Sequence, residues 1–469
     1  MSIQYYPHFD RIVETECGKI RGIAGADPKF TVYRGIPYAK PPVGQLRWKK
    51  PQPIQPWEGV KDCLEFGNIA PQGNHPVNSL YGKEFFQHNE IRSEDCLYLN
   101  IWTPSMGGNE KMPVLFWVHG GGLSGGYSSE PEFDGEAFCR EGVILVTGNY
   151  RLGILGFYAN SELVKEEGTA GNYGHMDQIA AFHWVRRNIA AFGGDPDRIT
   201  IFGQSAGAAS VETMCASPLT EGEIAGCIMM SCAGVAKPGT TGMWGRSPSL
   251  SEVVLMGDEF MKEAGCKNID ELRKLSYEEL NNVPGMKGDF AKGIFPKYQF
   301  GTILDDYVIK ESGPAMVYEG TMRDIPFMAG GTAGERKMFG DSMMINNRGF
   351  CECVLRAGHR APYLYLFDHD LPGSSDGSFH SSELWYVFGT IHRSWRPMTG
   401  EDFDLSRIMT KAWANFAKQG NPNGEGVPEW EPYTLEKHCH MIFDKKSRCE
   451  VIAQTPELDN KVSEAIQKI

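Results

Sequence analysis

The chain lacks any apolar run approaching the ~20 residues of a membrane-spanning helix. Its best apolar run, Val114 to Val118, has only the length of a strand. Its 12 cysteines include no C-x-x-C pair, and Cys351 and Cys353 stand too close together for a zinc ribbon, so no metal site is expected. Such dispersed thiols read as buried, unpaired residues of a reducing compartment. A basic excess is missing too. The 46 Lys and Arg are outnumbered by 59 Asp and Glu, the net charge is −13, and no basic stripe appears, which argues against a nucleic-acid partner. The stretch from Met1 to Ile12 has no apolar leader segment, so a cytoplasmic protein without membrane contact is expected. No Ser/Gly/Pro-rich linker and no repeat divides the sequence, and residues 1–469 are expected to form one domain. Hydrophobic content of 41% and charged content of 22% are those of an ordinary globular chain.

What the chain does have centres on residues 198–211. The β-branched run Ile199-Thr-Ile-Phe202 passes directly into Gly203-Gln-Ser-Ala-Gly207 and then into small, helix-tolerant residues. This is the strand–turn–helix setting of a nucleophile elbow: a turn too sharp for side chains at its flanks, hence the two glycines. It lifts the Ser205 hydroxyl clear of the sheet edge and aims the Ala206 N–H at an oxygen that becomes an anion during attack. With 55 glycines in the chain, context has to decide between matches. A second match, Gly373-Ser-Ser-Asp-Gly377, follows Pro372 in a polar turn with no strand before it and no helix after it, and is rejected.

The remaining segments alternate. Residues 13–24 and 30–36 read as short strands, 73–92 as a polar and aromatic loop without period, and Cys96–Trp102 as an alternating strand. Pro113-Val-Leu-Phe-Trp-Val118 suits a strand buried on both faces, and it ends in His119-Gly-Gly-Gly122. Those glycines leave N–H groups near Gly121 and Gly122 unshielded, the second half of an oxyanion hole. His119 reads as a packing group, because its neighbours are committed to the turn. Val143–Thr147 is another buried strand. Apolar positions at Ile179, Phe182, Val185, Ile189 and Phe192 predict a helix from Met176. Further strands are expected at Cys227–Ser231, Ile325–Ala329 and Tyr363–Phe367, with a helical cap over 250–282. The fold class is α/β: a mostly parallel central sheet with helices on both faces.

A serine hydroxyl needs a base, usually a His held by a carboxylate. Downstream of Ser205 the histidines are 359, 369, 380, 392, 438 and 440. Only His380 stands in a segment built like a site loop, Asp376-Gly-Ser-Phe-His-Ser-Ser-Glu-Leu-Trp385. Glu335, in Gly330-Gly-Thr-Ala-Gly-Glu335 after a strand, offers the carboxylate at a strand's C-terminal end; Glu383 is the fallback. Leu123, Phe379 and Trp385 are candidates for an acyl pocket, with a core role equally open to each.

These segments resemble the type-B carboxylesterases, the cholinesterase-like family of the α/β-hydrolase superfamily. The matching stretches are Tyr33–Trp48, Glu94–Trp102, His119–Gly122, Gly171–Gly174, Phe192–Pro196, Gly203–Gly207, Gly331–Glu335 and His380–Gly389. The resemblance implies a Ser205–His380–Glu335 triad, an oxyanion hole from Gly121, Gly122 and Ala206, no cofactor, and a small-molecule ester as substrate. It also implies a structural Arg47–Glu94 ion pair. The alternatives are a non-catalytic binding or adhesion relative, or a lipase, thioesterase or amidase of the same mechanism.

Three departures from the family pattern carry expectations. Ala70 stands where the family often has the cysteine that pairs with Cys96, so the loop over 73–92 is expected to be free. Arg336-Lys337 follows Glu335 where glycine is usual, which puts cations in competition with His380 for that carboxylate. Only 45 positions separate Glu335 from His380, fewer than is common. The helices usual there are expected to be missing and the site to be more open.

Overall fold

The computed structural model describes residues 11–105, 109–238, 247–288, 295–453 and 455–467. Fourteen strands follow one another along the chain: β1 (Ile12–Thr15), β2 (Gly18–Arg21), β3 (Ile23–Ala24), β4 (Thr31–Pro37), β5 (Val60–Asp62), β6 (Tyr98–Thr103), β7 (Met112–Val118), β8 (Ile144–Gly148), β9 (Gly194–Gln204), β10 (Gly226–Met230), β11 (Phe327–Thr332), β12 (Tyr363–Phe367), β13 (Cys439–Phe443) and β14 (Arg448–Val451). Strands β1, β2 and β5 form a small sheet, and the other eleven form one sheet in the order β14-β13-β12-β11-β10-β9-β7-β8-β6-β4-β3. From β13 across to β8 the pairings are parallel. Both edges are antiparallel.

Period-two alternation sends the sheet's side chains into two cores. Val114, Phe116, Val118, Ile199 and Ile201 face one core, which the helices Tyr173–Asn188 and Ala206–Ala216 cover. Leu115, Trp117, Phe202, Ile228 and Met328 face the other, under the helix Gly400–Gln419. Each such side chain taken fully out of water contributes about 1.5–3 kcal/mol, and both faces of the central strands are covered. The fold is that of the α/β-hydrolases. No helix among the described residues is long and apolar enough to cross a membrane.

Register positions the site. Gly203 pairs with Met229 and Gln204 with Met230, Met230 with Gly330, and Gly330 with Tyr365. The carboxyl ends of β9, β10 and β11 therefore finish side by side, and the turns that follow them share one edge. Ser205 N–H donates to the Met230 carbonyl at 2.8 Å, and Ser231 N–H to the Gly330 carbonyl at 2.6 Å, which ties those turns together.

Several expectations change. β9 begins at Gly194 rather than Ile199, because Gly194 pairs with Met112 before the register shifts and resumes at Val114 with Ile199. The segment 73–92 contains a helix, Leu80–Phe85, whose N-cap Ser79 Oγ accepts from Gly82 N–H. That segment is anchored without a disulfide: Glu84 is buried against Arg396 and the indole N–H groups of Trp385 and Trp395. No disulfide links any of the twelve cysteines. The stretch between Glu335 and His380 is not without helices, since Arg336–Phe339 and Ser342–Arg356 are helical. The expected cap is present as three helices, Leu250–Glu263, Ile269–Leu272 and Tyr277–Asn281.

Candidate active site

Ser205 follows β9 directly with φ +55° and ψ −126°, a region that L-residues rarely occupy, and the helix Ala206–Ala216 starts immediately after it. Glycine is required on both sides. A Cβ on Gly203 would come under 3.0 Å from the Gly207 backbone, and one on Gly207 under 3.0 Å from the Val118 carbonyl. The β7 end passes so close beneath the elbow that a Cβ on Gly120 would sit 3.2 Å from Ser205 Cβ. Gly121 and Gly122 turn with φ +97° and +63°. Their N–H groups have no protein acceptor among the described residues. Ala206, the first residue of its helix, has an N–H with no intrahelical partner either.

His380 Nδ1 meets Glu335 Oε1 at 2.6 Å, with the glutamate 1% exposed. Two loops make that meeting. Thr332 N–H donates to Glu335 Oε2 at 3.2 Å and holds the carboxylate in place. Gly334 N–H donates to the Ser378 carbonyl at 3.0 Å, joining the Glu335 loop to the His380 loop. A Cβ on Gly334 would lie under 3.0 Å from that carbonyl oxygen. On its other side, His380 Nε2 faces the Gln204 amide nitrogen at 3.2 Å. Among the described residues no hydrogen bond joins it to Ser205 Oγ; in resting enzymes such bonds are often long and tighten on the substrate complex. With Nδ1–H donating to Glu335, the ring's lone pair lies on Nε2, where the Gln204 amide N–H donates to it.

Arg336 is turned away from Glu335: it is exposed and pairs with Asp341 at 3.0 Å. Glu383 is fully buried behind Glu335, and Ser231 Oγ donates to its Oε1 at 3.4 Å. Burial first, and then the Glu335 charge, push its carboxyl up to about 8. The structure thus brings Glu335, and not Glu383, to the histidine ring. His119 stacks on Tyr150 at 4.4 Å between ring centres, and burial lowers it to about 4, so it stays neutral and structural. Arg47 and Glu94 form the expected ion pair, with Arg47 Nε to Glu94 Oε2 at 2.7 Å.

Ser205 and His380 open onto a cleft of about 670 Å³. Gly120 and Gly121 form one wall, Tyr81, Phe85 and Phe86 another, and Tyr277 and Asn281 of the cap a third. Leu123, Phe379 and Trp385 do not line it. Leu123 has φ +58°, packs on the core, and accepts from Gly153 N–H at 2.7 Å. Phe379 and Trp385 are buried, with Trp385 Nε1–H on Glu84 at 3.3 Å. Contacts that sequence reasoning missed include Gln204 on the histidine and Tyr81, whose hydroxyl donates to the His380 carbonyl at 3.2 Å. The position of Gln204 beside the elbow serine was a readable signal; Tyr81, 299 positions from His380, carried none.

Comparisons with known proteins identify the family. The carboxylesterase family model matches residues 10–353 and 352–461. Fumonisin B1 esterase of Sphingopyxis macrogoltabida is 32% identical over 89% of this chain and 83% of its own. Para-nitrobenzyl esterase of Bacillus subtilis is 32% identical over 93% and 95%. Among solved structures, a PNB esterase superposes with a TM-score of 0.83 at 29% identity, covering 97% of this chain and 99% of that one. The Geobacillus stearothermophilus carboxylesterase EST55 gives 0.78 at 30% identity, covering 96% and 99%. With a family match along nearly its whole length, the chain belongs to the carboxylesterase family, and its activity is that of a carboxylic ester hydrolase.

Proposed function

We propose that this esterase works through a Ser205–His380–Glu335 triad with an oxyanion hole formed by the N–H groups of Gly121, Gly122 and Ala206. His380 Nε2 takes the Ser205 proton as Oγ attacks the ester carbonyl. The carbonyl oxygen becomes an alkoxide, and the three N–H groups donate to it. His380 then gives its proton to the departing alcohol, leaving an acyl group on Ser205. Water enters, loses a proton to His380 and attacks the acyl carbon; collapse releases the carboxylic acid and restores the hydroxyl. Glu335 accepts from Nδ1–H and holds the imidazole in that tautomer. Each oxyanion donor is worth roughly 3–4 kcal/mol in the transition state.

The observation that carries this reading is the 2.6 Å His380–Glu335 bond at the sheet edge where Ser205 is held at φ +55°. No metal or organic cofactor enters these steps, and the substrate class is small-molecule esters. Hydrolysis of a 4-nitrophenyl ester series, acetate to octanoate, tests it. Turnover in the native chain that collapses in Ser205→Ala is expected; full activity in that variant would refute the elbow assignment.

A further inference from the structure

We propose that the buried carboxylates of Glu130 and Glu132 form a subsite of this cleft for a protonated primary or secondary amine on the substrate. The ester part of that substrate rests on the function proposed above; the amine rests on separate observations. Both glutamates line the cleft that holds Ser205 and His380. Glu130 is 9% exposed and Glu132 0%. Glu130 Oε1 accepts from Tyr127 N–H at 2.9 Å. Neither oxygen of Glu132 has a hydrogen-bond partner among the described residues. No Arg, Lys or His among those residues pairs with either glutamate, and the nearby acids are already engaged. Glu84 accepts from Arg396 Nε at 2.8 Å, and Glu90 accepts from the Tyr127 hydroxyl at 2.5 Å.

The pair is close to the nucleophile. A Cβ on Gly126 would lie 3.3 Å from Glu130 Oε1 and 2.7 Å from the Gly120 carbonyl, and one on Gly120 would lie 3.2 Å from Ser205 Cβ. Gly126 and Gly120 therefore stand between Glu130 and the serine on one wall of the cleft. Phe85, Phe86 and Phe133 line the same cleft and make its surroundings apolar.

Buried acceptors without donors are costly, and two buried carboxylates also repel each other. Burial raises both carboxyls, Glu130 to about 7, and for Glu132 the facing Glu130 adds to it. A protonated amine offsets the two facing carboxylates with a full positive charge and supplies N–H donors to the unpartnered oxygens. A quaternary ammonium brings the charge and no donor; a neutral ester brings neither. The site is thus built for N–H-bearing cations in particular.

The test uses matched esters of one shape. On the alcohol side these are piperidin-4-yl acetate, its N,N-dimethylpiperidinium analogue and cyclohexyl acetate. On the acyl side they are the methyl esters of the corresponding ring carboxylic acids. Acid release is followed in a pH-stat at about pH 7.5 with the full chain and with Glu130→Gln and Glu132→Gln. In one of the two sets, kcat/KM for the protonated amine should exceed that of the carbocycle by about ten- to hundredfold, the worth of hydrogen bonds to a charged group. The quaternary ester should gain less, and both substitutions should bring the ratio towards one. Equal turnover of amine and carbocycle by the native chain overturns the subsite, as does a ratio that survives both substitutions. Should one variant not fold, the other decides. If no ester is hydrolysed, calorimetry of Ser205→Ala with piperidin-4-yl and cyclohexyl acetate separates the two readings. Preferential binding of the amine that disappears on adding Glu132→Gln keeps the subsite and rejects the esterase mechanism; no preference rejects the subsite.

Discussion

Glu383→Gln should change how the stability of this protein depends on pH. Glu383 is fully buried, one oxygen has no partner among the described residues, and Glu335 adds negative charge beside it. The folded chain therefore keeps to about pH 8 a proton that the unfolded chain releases near 4.5. A group whose folded value is raised contributes stability that is complete below about 4.5, declines as pH rises and is gone above about 8. The decline is about 1.4 kcal/mol per pH unit, so the ceiling over that window is about 5 kcal/mol. Between about pH 5.5 and 7.5 it amounts to roughly 2.7 kcal/mol. At about 2.1 cal/mol/K of unfolding entropy per residue, that is roughly 3 °C in Tm for a chain of 469 residues. Glutamine keeps the shape and cannot titrate. Urea unfolding of both proteins at both pH values isolates this group, because Glu130, Glu132 and Glu212, also raised by burial, titrate in both and cancel. The native chain should lose about 2.7 kcal/mol more than the variant between the two pH values. Equal losses, within about 0.5 kcal/mol, would refute the assignment of a protonated Glu383.

The two glutamates near His380 should separate in kinetics. Glu335→Gln, which leaves the Nδ1 position facing an amide, should lower kcat about 10⁴-fold on a 4-nitrophenyl ester. Glu383→Gln, which does not touch the ring, should stay within about tenfold at pH 7; similar losses from both would contradict the assignment of the acid. Gly334→Ala places a Cβ under 3.0 Å from the Ser378 carbonyl and should spread the two loops that bring Glu335 to His380. A displacement near 1 Å predicts a loss of about 10²-fold in kcat with circular dichroism unchanged, and native kcat in that variant would refute the close-approach argument.

Much of the frame was legible because its signals are local. The run Ile199–Phe202 into Gly203-Gln-Ser-Ala-Gly207 contains in a few residues the strand, the turn and the helix start that the structure shows. The continuous apolar stretch Pro113–Val118 announced a strand covered on both faces, and both cores confirm it. Boundaries that depend on a partner strand were not legible. β9 reaches back to Gly194 because Met112 pairs with it across a register shift. The helix Leu80–Phe85 was hidden in a short, aromatic stretch without a period.

The sequence by itself determined the fold class, the elbow at Ser205 and the residues from which a base and an acid could be drawn, since each depends on neighbours a few positions away. Only the tertiary structure decided that Glu335 meets the His380 ring while Glu383 lies buried behind it, that Arg336 turns to Asp341, and that Leu123, Phe379 and Trp385 leave the cleft wall to other residues. It also decided the fate of Ser128-Ser-Glu-Pro-Glu132. In the folded chain that segment carries two glutamates away from water into the cleft that holds the serine. The physical reason is common to all of these. Burial and charge proximity are set by segments up to about 300 positions apart that the sheet register brings to one edge, and no local pattern encodes that distance.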